Sequence, residues 1–181
     1  MLRTRDILDE KNKVLHQKSK EVTFPLSDDD RKTIDEMIEY LTNSQIDELA
    51  KKYDLRPGMG MAAVQLGILK RYLTIVNEVE NGFETYVVIN PKIVSNSTEM
   101  IYVEDGEGCL SVNREVDGIV PRYARVTIEG YDMDGNKIRI RAREELAIAF
   151  QHEIDHLNGI LFTDKIDSKN PFKGKDKYRA I

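Results

Sequence analysis

Residues 143–159, REELAIAFQHEIDHLNG, constrain the chain most, because they read as a helix that is apolar nearly all the way round. Leu146, Ala147, Ile148, Ala149, Phe150, Ile154 and Leu157 cover most of its circumference, Glu144 and Glu145 lie in the first turn, and Gly159 can end the last. Such a helix is stable only when protein surrounds it, so the rest of the chain must be built around it. Yet it carries His152, Glu153 and His156 into the interior. Residues four apart share one helix face, so two imidazoles can hold one metal while the glutamate between them points at water there. A catalytic site of this H-E-x-x-H kind needs three protein ligands and an open position. Only 25 residues follow His156, and none is His, Cys or Glu.

The third ligand is open to several readings. One zinc-protease pattern extends to a further histidine after Gly159, but Phe162 occupies that position here. Asp164 and Asp167 remain as carboxylate candidates for a zinc endopeptidase, although both lie in a charged segment past the helix. His16 sits in a charged stretch with no motif around it. Cys109, the only cysteine, lies in DGEGCLSV. A lone free cysteine is as a rule a small buried hydrophobe. Beside a helix that lacks one ligand it becomes the preferred candidate, since two imidazoles and a thiolate leave one tetrahedral vertex for water.

Charge and composition exclude other classes. The net charge is −5, which disfavours a broad nucleic-acid surface, and the 40% apolar and 33% charged shares suit one globular domain over 1–181. No apolar run approaches a membrane span, and MLRTRDILDEKNK has no apolar stretch behind its basic residues, so no secretory signal is expected. With one Cys there is no internal disulfide, consistent with a reducing, cytoplasmic setting.

Along the chain, residues 27–53 predict two helical pieces. Ser27 can cap the first, followed by a solvated acidic run Asp28–Asp30; Ile34, Met37, Ile38 and Leu41 form its apolar stripe, and Thr42–Gln45 break it. YLTIVNEV, FETYVVINPKIV and TEMIYVED predict strands, with a hairpin turn at Asn81-Gly82 and a second hairpin around Asp134-Gly135. The tail predicts no long helix. No β-α-β alternation occurs, so the expected fold is α+β, with antiparallel β-sheets surrounding the central metal-binding helix and a helical N-terminal region. RPGMGMAAVQLG, residues 56–67, is glycine-rich but lacks the strand and acidic residue of a dinucleotide fingerprint. Read alone it is a tight turn before a small-residue packing surface, with Gln65 offering an amide donor.

Taken together, GMGMAAVQ (58–65), EGCLS (107–111) and QHEIDHL (151–157) resemble the three motifs of the peptide deformylases, in the same order. The long NSQIDELAKKYDLR segment before the first motif resembles the type II, Gram-positive-like subgroup. Val64 departs from the family, where Pro or Thr is expected, and should alter a local turn or a nearby subsite. The resemblance implies removal of the formyl group from N-formylmethionyl nascent chains. It implies Cys109, His152 and His156 as ligands to Fe2+ in the cell, with Zn2+, Ni2+ or Co2+ able to substitute. It further implies Glu153 as general acid–base, the Gln65 amide and the Leu110 N–H as oxyanion donors, and Met59, Gly60, Ile148 and Ala149 as the substrate site. Glu107 is expected to orient a ligand, and Asp155 either does the same or is a charge on the helix surface. We expect a monomer, with any ribosome contact transient and the basic tail, Lys173 to Arg179, solvated. A non-catalytic metal or peptide-binding module is the remaining alternative.

Overall fold

The alternating segments build a five-stranded antiparallel sheet in the order β1 (Gly60–Ala62), β2 (Tyr72–Val79), β3 (Gly82–Asn96), β6 (Arg125–Tyr131), β7 (Lys137–Arg143). The computed structural model describes residues 1–181. The remaining strands, β4 (Met100–Tyr102), β5 (Arg122–Tyr123) and β8 (Arg179–Ala180), form a second sheet in the order β5-β4-β8. The helices are α1 (Asp28–Ser44), α2 (Asp47–Tyr53) and α3 (Glu144–Leu157).

Period-two alternation in β2 decides how the layers stack. Leu73 and Ile75 point to one face, where they pack with Val88, Val126, Ile128 and Ala142 against Ala147, Phe150, Ile154 and Leu157 of α3. Tyr72 and Val76 point to the other, against Ile34, Met37, Tyr40 and Leu41 of α1. On its far side α3 meets the small sheet through Ile148, Ile101 and Ala124. The helix carrying His152 and His156 is therefore enclosed by both sheets, as its apolar circumference requires.

Several details depart from the sequence reading. The small sheet is mixed, because β4 pairs in parallel with β8 in the tail. The glycine-rich stretch contributes a true strand, β1, which pairs with β2 on one side only and forms the open edge of the large sheet. The first hairpin pairs Val79 with Gly82, so Glu80 and Asn81 make its turn, one residue earlier than expected. The register of β3 slips between Ile89 and Lys92, where Pro91 has no N–H to give the ladder. Asn90 there bonds its side chain to both backbone groups of Val22 at 2.8 and 2.9 Å, tying the N-terminal segment to the sheet. Of the acidic run at the start of α1, Asp30 is not solvated: it is 5% exposed and accepts from Ser27 and from Lys70 Nζ, both at 2.7 Å. Gly159 ends α3 with φ +75°, and a side chain there would strike the backbone of His16 at 2.7 Å.

Phe150 is fully buried in the α3 cluster and sits edge-on to Tyr86, ring centroids 5.7 Å apart. Phe150→Ala leaves a cavity that rigid neighbouring strands cannot close. It should lower the unfolding free energy by about 3–5 kcal/mol, read as an earlier urea midpoint with unchanged slope.

Candidate metal centre

Two elements far apart in sequence supply the centre. The loop between β4 and β5 delivers Cys109, and the inner face of α3 delivers His152 and His156. One ligand atom from each lies within 4.8 Å of the others. The Cys109 sulfur is 3.2 Å from His156 Nε2, and the two imidazole rings stand 4.9 Å apart at 72°. His152 Nδ1 is bonded to Glu107 Oε2 at 2.9 Å, which leaves its Nε2 for the centre. Glu107 in turn takes a two-pronged bond from Arg122, at 2.7 and 2.9 Å, and Arg122 reaches on to Asp155 at 2.5 Å. Both acids that the sequence offered as orienting groups thus converge on one buried guanidinium.

Burial opposes a charged imidazole at both histidines, but their neighbours split them. In the metal-free site the bonds to Cys109 and Glu107 outweigh burial at His152 and hold its pKa well above the ordinary value, so a metal at Nε2 would have to displace a proton. At His156 burial is reinforced by His152 and Arg122, so that ring stays neutral with a lone pair free for coordination. Burial also pushes the Glu153 carboxyl up to about 7. Its Oε2 is buried with no protein partner. A thiol and two imidazoles converging with this orphaned acceptor beside them fit a divalent metal, as soft sulfur and nitrogen donors do.

A cleft of about 470 Å³ opens onto the centre and is lined by Met59, Gly60, Ile148 and Ala149 beside Gln65, Leu110 and Glu153. Gln65 Oε1 accepts from the Ala62 N–H at 2.9 Å, which turns Nε2 toward Ser111 Oγ at 3.1 Å and the Cys109 sulfur at 3.8 Å. The Leu110 N–H has no acceptor within the protein. Gly60 borders the Glu153 carboxyl directly: a Cβ there would lie 2.5 Å from Glu153 Oε1.

The comparisons with known proteins follow this geometry. The family model described as polypeptide deformylase matches residues 4–172. Peptide deformylase 2 of Bacillus anthracis is 45% identical over all of this chain and 99% of its own length. A peptide deformylase of Halalkalibacterium halodurans is 49% identical over 96% of both chains. Among solved structures, a peptide deformylase from Thermotoga maritima superposes with a TM-score of 0.70 at 34% identity, over 89% of this chain and 96% of that one. A class I type b peptide deformylase from Acinetobacter baumannii, bound to Met-Ala-Ser, superposes with a TM-score of 0.71 at 27% identity, over 88% and 96%. The chain belongs to the polypeptide deformylase family. It is a metal-dependent hydrolase of the N-terminal formyl group of nascent peptides.

The endopeptidase alternative is not favoured. Asp164 accepts from the Leu161 N–H at 2.8 Å and Asp167 pairs with Lys173 at 2.8 Å, so both caps are spent away from the centre. His16 binds the Glu10 carbonyl on the surface, and Phe162 stacks on His152 at 6.0 Å. Val64 is fully buried in the α3 cluster and does not line the cleft, so it acts on packing and not on a subsite. Sequence reading missed Arg122, Ser111 and Arg56. No local pattern marks Arg122 in VPRYA; Ser111 stood inside a quoted motif without a partner to suggest its bond to Gln65.

Glu107 yields a pH dependence. Burial pushes its pKa up, but bonds from His152 and Arg122 prevail and bring it from its ordinary 4.5 to about 2. A folded value below the unfolded one means that stabilisation is complete above about pH 4.5 and lost as pH falls toward 2. The contribution is on the order of 3 kcal/mol. In the metal-free protein the unfolding temperature should therefore fall steeply across that window. Glu107→Gln should be less stable at pH 7 and show a flatter acid limb in the same thermal scans.

Proposed function

We propose that this enzyme hydrolyses the formyl amide of N-formylmethionyl nascent chains with Glu153 as its proton-transferring group and Leu110 and Gln65 as its oxyanion donors. One observation carries the reading: Cys109, His152, Glu153 and Leu110, whose N–H has no acceptor in the protein, line a single cleft, with His156 beside Cys109 and His152 at its floor. Cys109, His152 and His156 would hold a divalent ion, which would supply Lewis acidity and make water more acidic. Glu153 takes the proton from the attacking water, and its raised pKa suits that exchange near neutral pH. As the C–N bond breaks, Glu153 returns the proton to the leaving amine, and formate and a free N-terminus result. The Leu110 N–H and the Gln65 amide meet the oxygen as it becomes negative. Each such donor is worth about 10²–10³ in rate.

Met59, Ile148 and Ala149 form the slot for the formylmethionine side chain, and the open edge of β1 at Gly60 pairs with the peptide backbone as an added strand. The Met-Ala-Ser held by the A. baumannii relative supports a short extended peptide as the ligand. Ferrous iron is our choice of resident ion, with zinc, nickel or cobalt able to occupy the same donors. Iron beside a thiolate is sensitive to oxidation, which fits the reducing cytoplasm where nascent chains are made. No helix is long and apolar enough to cross a membrane. We propose a monomer that meets the ribosome only transiently and reads no nucleic-acid sequence.

The test is formate release from formyl-Met-Ala-Ser against its acetylated counterpart. A strong preference for the formyl peptide is expected, and equal rates would refute the reading. Glu153→Ala should retain bound metal while losing at least about 10²-fold in rate. Cys109→Ser should lose metal and activity together.

A further inference from the structure

Arg56, just ahead of β1, turns its guanidinium onto the loop that carries Cys109. Nη2 donates to the carbonyls of Cys109 and Val112, both at 3.0 Å, and Nη1 donates to the Leu110 carbonyl at 3.2 Å and to the Asn113 side chain. All four acceptors are neutral. A trans peptide sets its C=O and N–H on opposite edges of one plane. Holding the Cys109 carbonyl therefore aims the Leu110 N–H away from Arg56. Holding the Leu110 carbonyl likewise aims the Ser111 N–H the other way, and it donates to the Cys109 sulfur at 3.4 Å.

We propose that Arg56 is a positioning residue for deformylation: its guanidinium orients two successive peptide units so that one N–H meets the substrate oxyanion and the next meets the metal-binding sulfur. The inference rests on the assignment of the Leu110 N–H as an oxyanion donor. It adds a second effect, polarisation. A charge-assisted bond draws electron density toward each carbonyl oxygen, and the N–H of the same amide becomes a stronger donor.

A purely structural role does not account for the pattern. The backbone of Arg56 is already tied down, its N–H to Thr4 Oγ1 and its carbonyl to Tyr40 OH, each at 3.2 Å. The loop has other anchors: Glu10 N–H donates to the Ser111 carbonyl at 2.7 Å, and Asn113 donates to Asp9 at 2.8 Å. The guanidinium bonds are thus free to set direction and charge. Lysine cannot reproduce them, because an ammonium is a point charge without the planar fork.

The experiment compares wild type, Arg56→Gln and Arg56→Lys, each loaded with cobalt(II), by formyl-peptide kinetics and by the sulfur-to-cobalt absorption band. Arg56→Gln should bind one cobalt per chain and keep KM within about threefold, with kcat down roughly 10- to 100-fold, less than deleting a donor outright. Its absorption band should move to longer wavelength, since a sulfur with a weakened N–H bond gives up charge more easily. Arg56→Lys should fall between the two in both readouts, and it carries the test alone if Arg56→Gln does not fold. The proposal is overturned if Arg56→Lys matches wild type in rate and band, or if kcat falls only in step with lost cobalt while the band stays in place. An inactive wild type with a shifted band in the variants would instead fault the oxyanion assignment.

Discussion

The Arg122 guanidinium is what allows this fold to hold acids and imidazoles in its interior. It is 2% exposed and bridges Glu107 and Asp155, and Glu107 passes the interaction to His152. Each of these groups alone would face a desolvation cost of several kcal/mol. Joined, they satisfy one another's donors and acceptors, and the network becomes rigid because no member can turn without leaving another unpaired. That rigidity fixes the plane of the His152 ring and leaves its second nitrogen for the metal. The cluster is a positioning device first, since an apolar replacement of similar shape could match its contribution to stability.

How much of this was legible from sequence follows from the range of the signals. The central helix, the β2–β3 and β6–β7 pairings and the two N-terminal helices rest on local periodicity and turn residues and are present, although the first turn comes one residue early and α1 continues through Thr42–Ser44, where the sequence predicts a break. Short strands carry no such signal. β1 is three residues long and β8 two, and each exists because a neighbouring edge accepts it. The parallel pairing of β8 with β4 joins residues nearly eighty positions apart, beyond any local pattern. FETYVVINPKIV reads as one strand, and the register slip at Pro91 is an irregularity that reading does not include.

The site divides the same way. Cys109 could be singled out because it was the only cysteine and the helix lacked a ligand. Glu107 was visible through its motif. Arg122 and Arg56 were not, since arginine is ordinarily a surface residue: nothing in VPRYA marks the burial of Arg122, and nothing in DLRPG marks the bonds of the half-buried Arg56. Both work through atoms no motif can encode: one through a carboxylate 15 residues away, the other through backbone carbonyls. Sequence reading finds the groups that do chemistry more readily than those that aim them.

In the proposed mechanism Gly60 would join recognition to catalysis at one atom. If the edge of β1 receives the peptide backbone as proposed, main-chain pairing there requires that no side chain intrude at the point of approach. On the same residue, the place a Cβ would occupy is filled by the Glu153 carboxylate, 2.5 Å from that point. Any larger residue would have to displace either the incoming backbone or the acid. A carboxylate pressed against bare backbone is also one that water reaches poorly, in keeping with burial as the main cause of its raised pKa. In the proposed mechanism, permissive binding and a poised acid would therefore arise from the same missing methyl group.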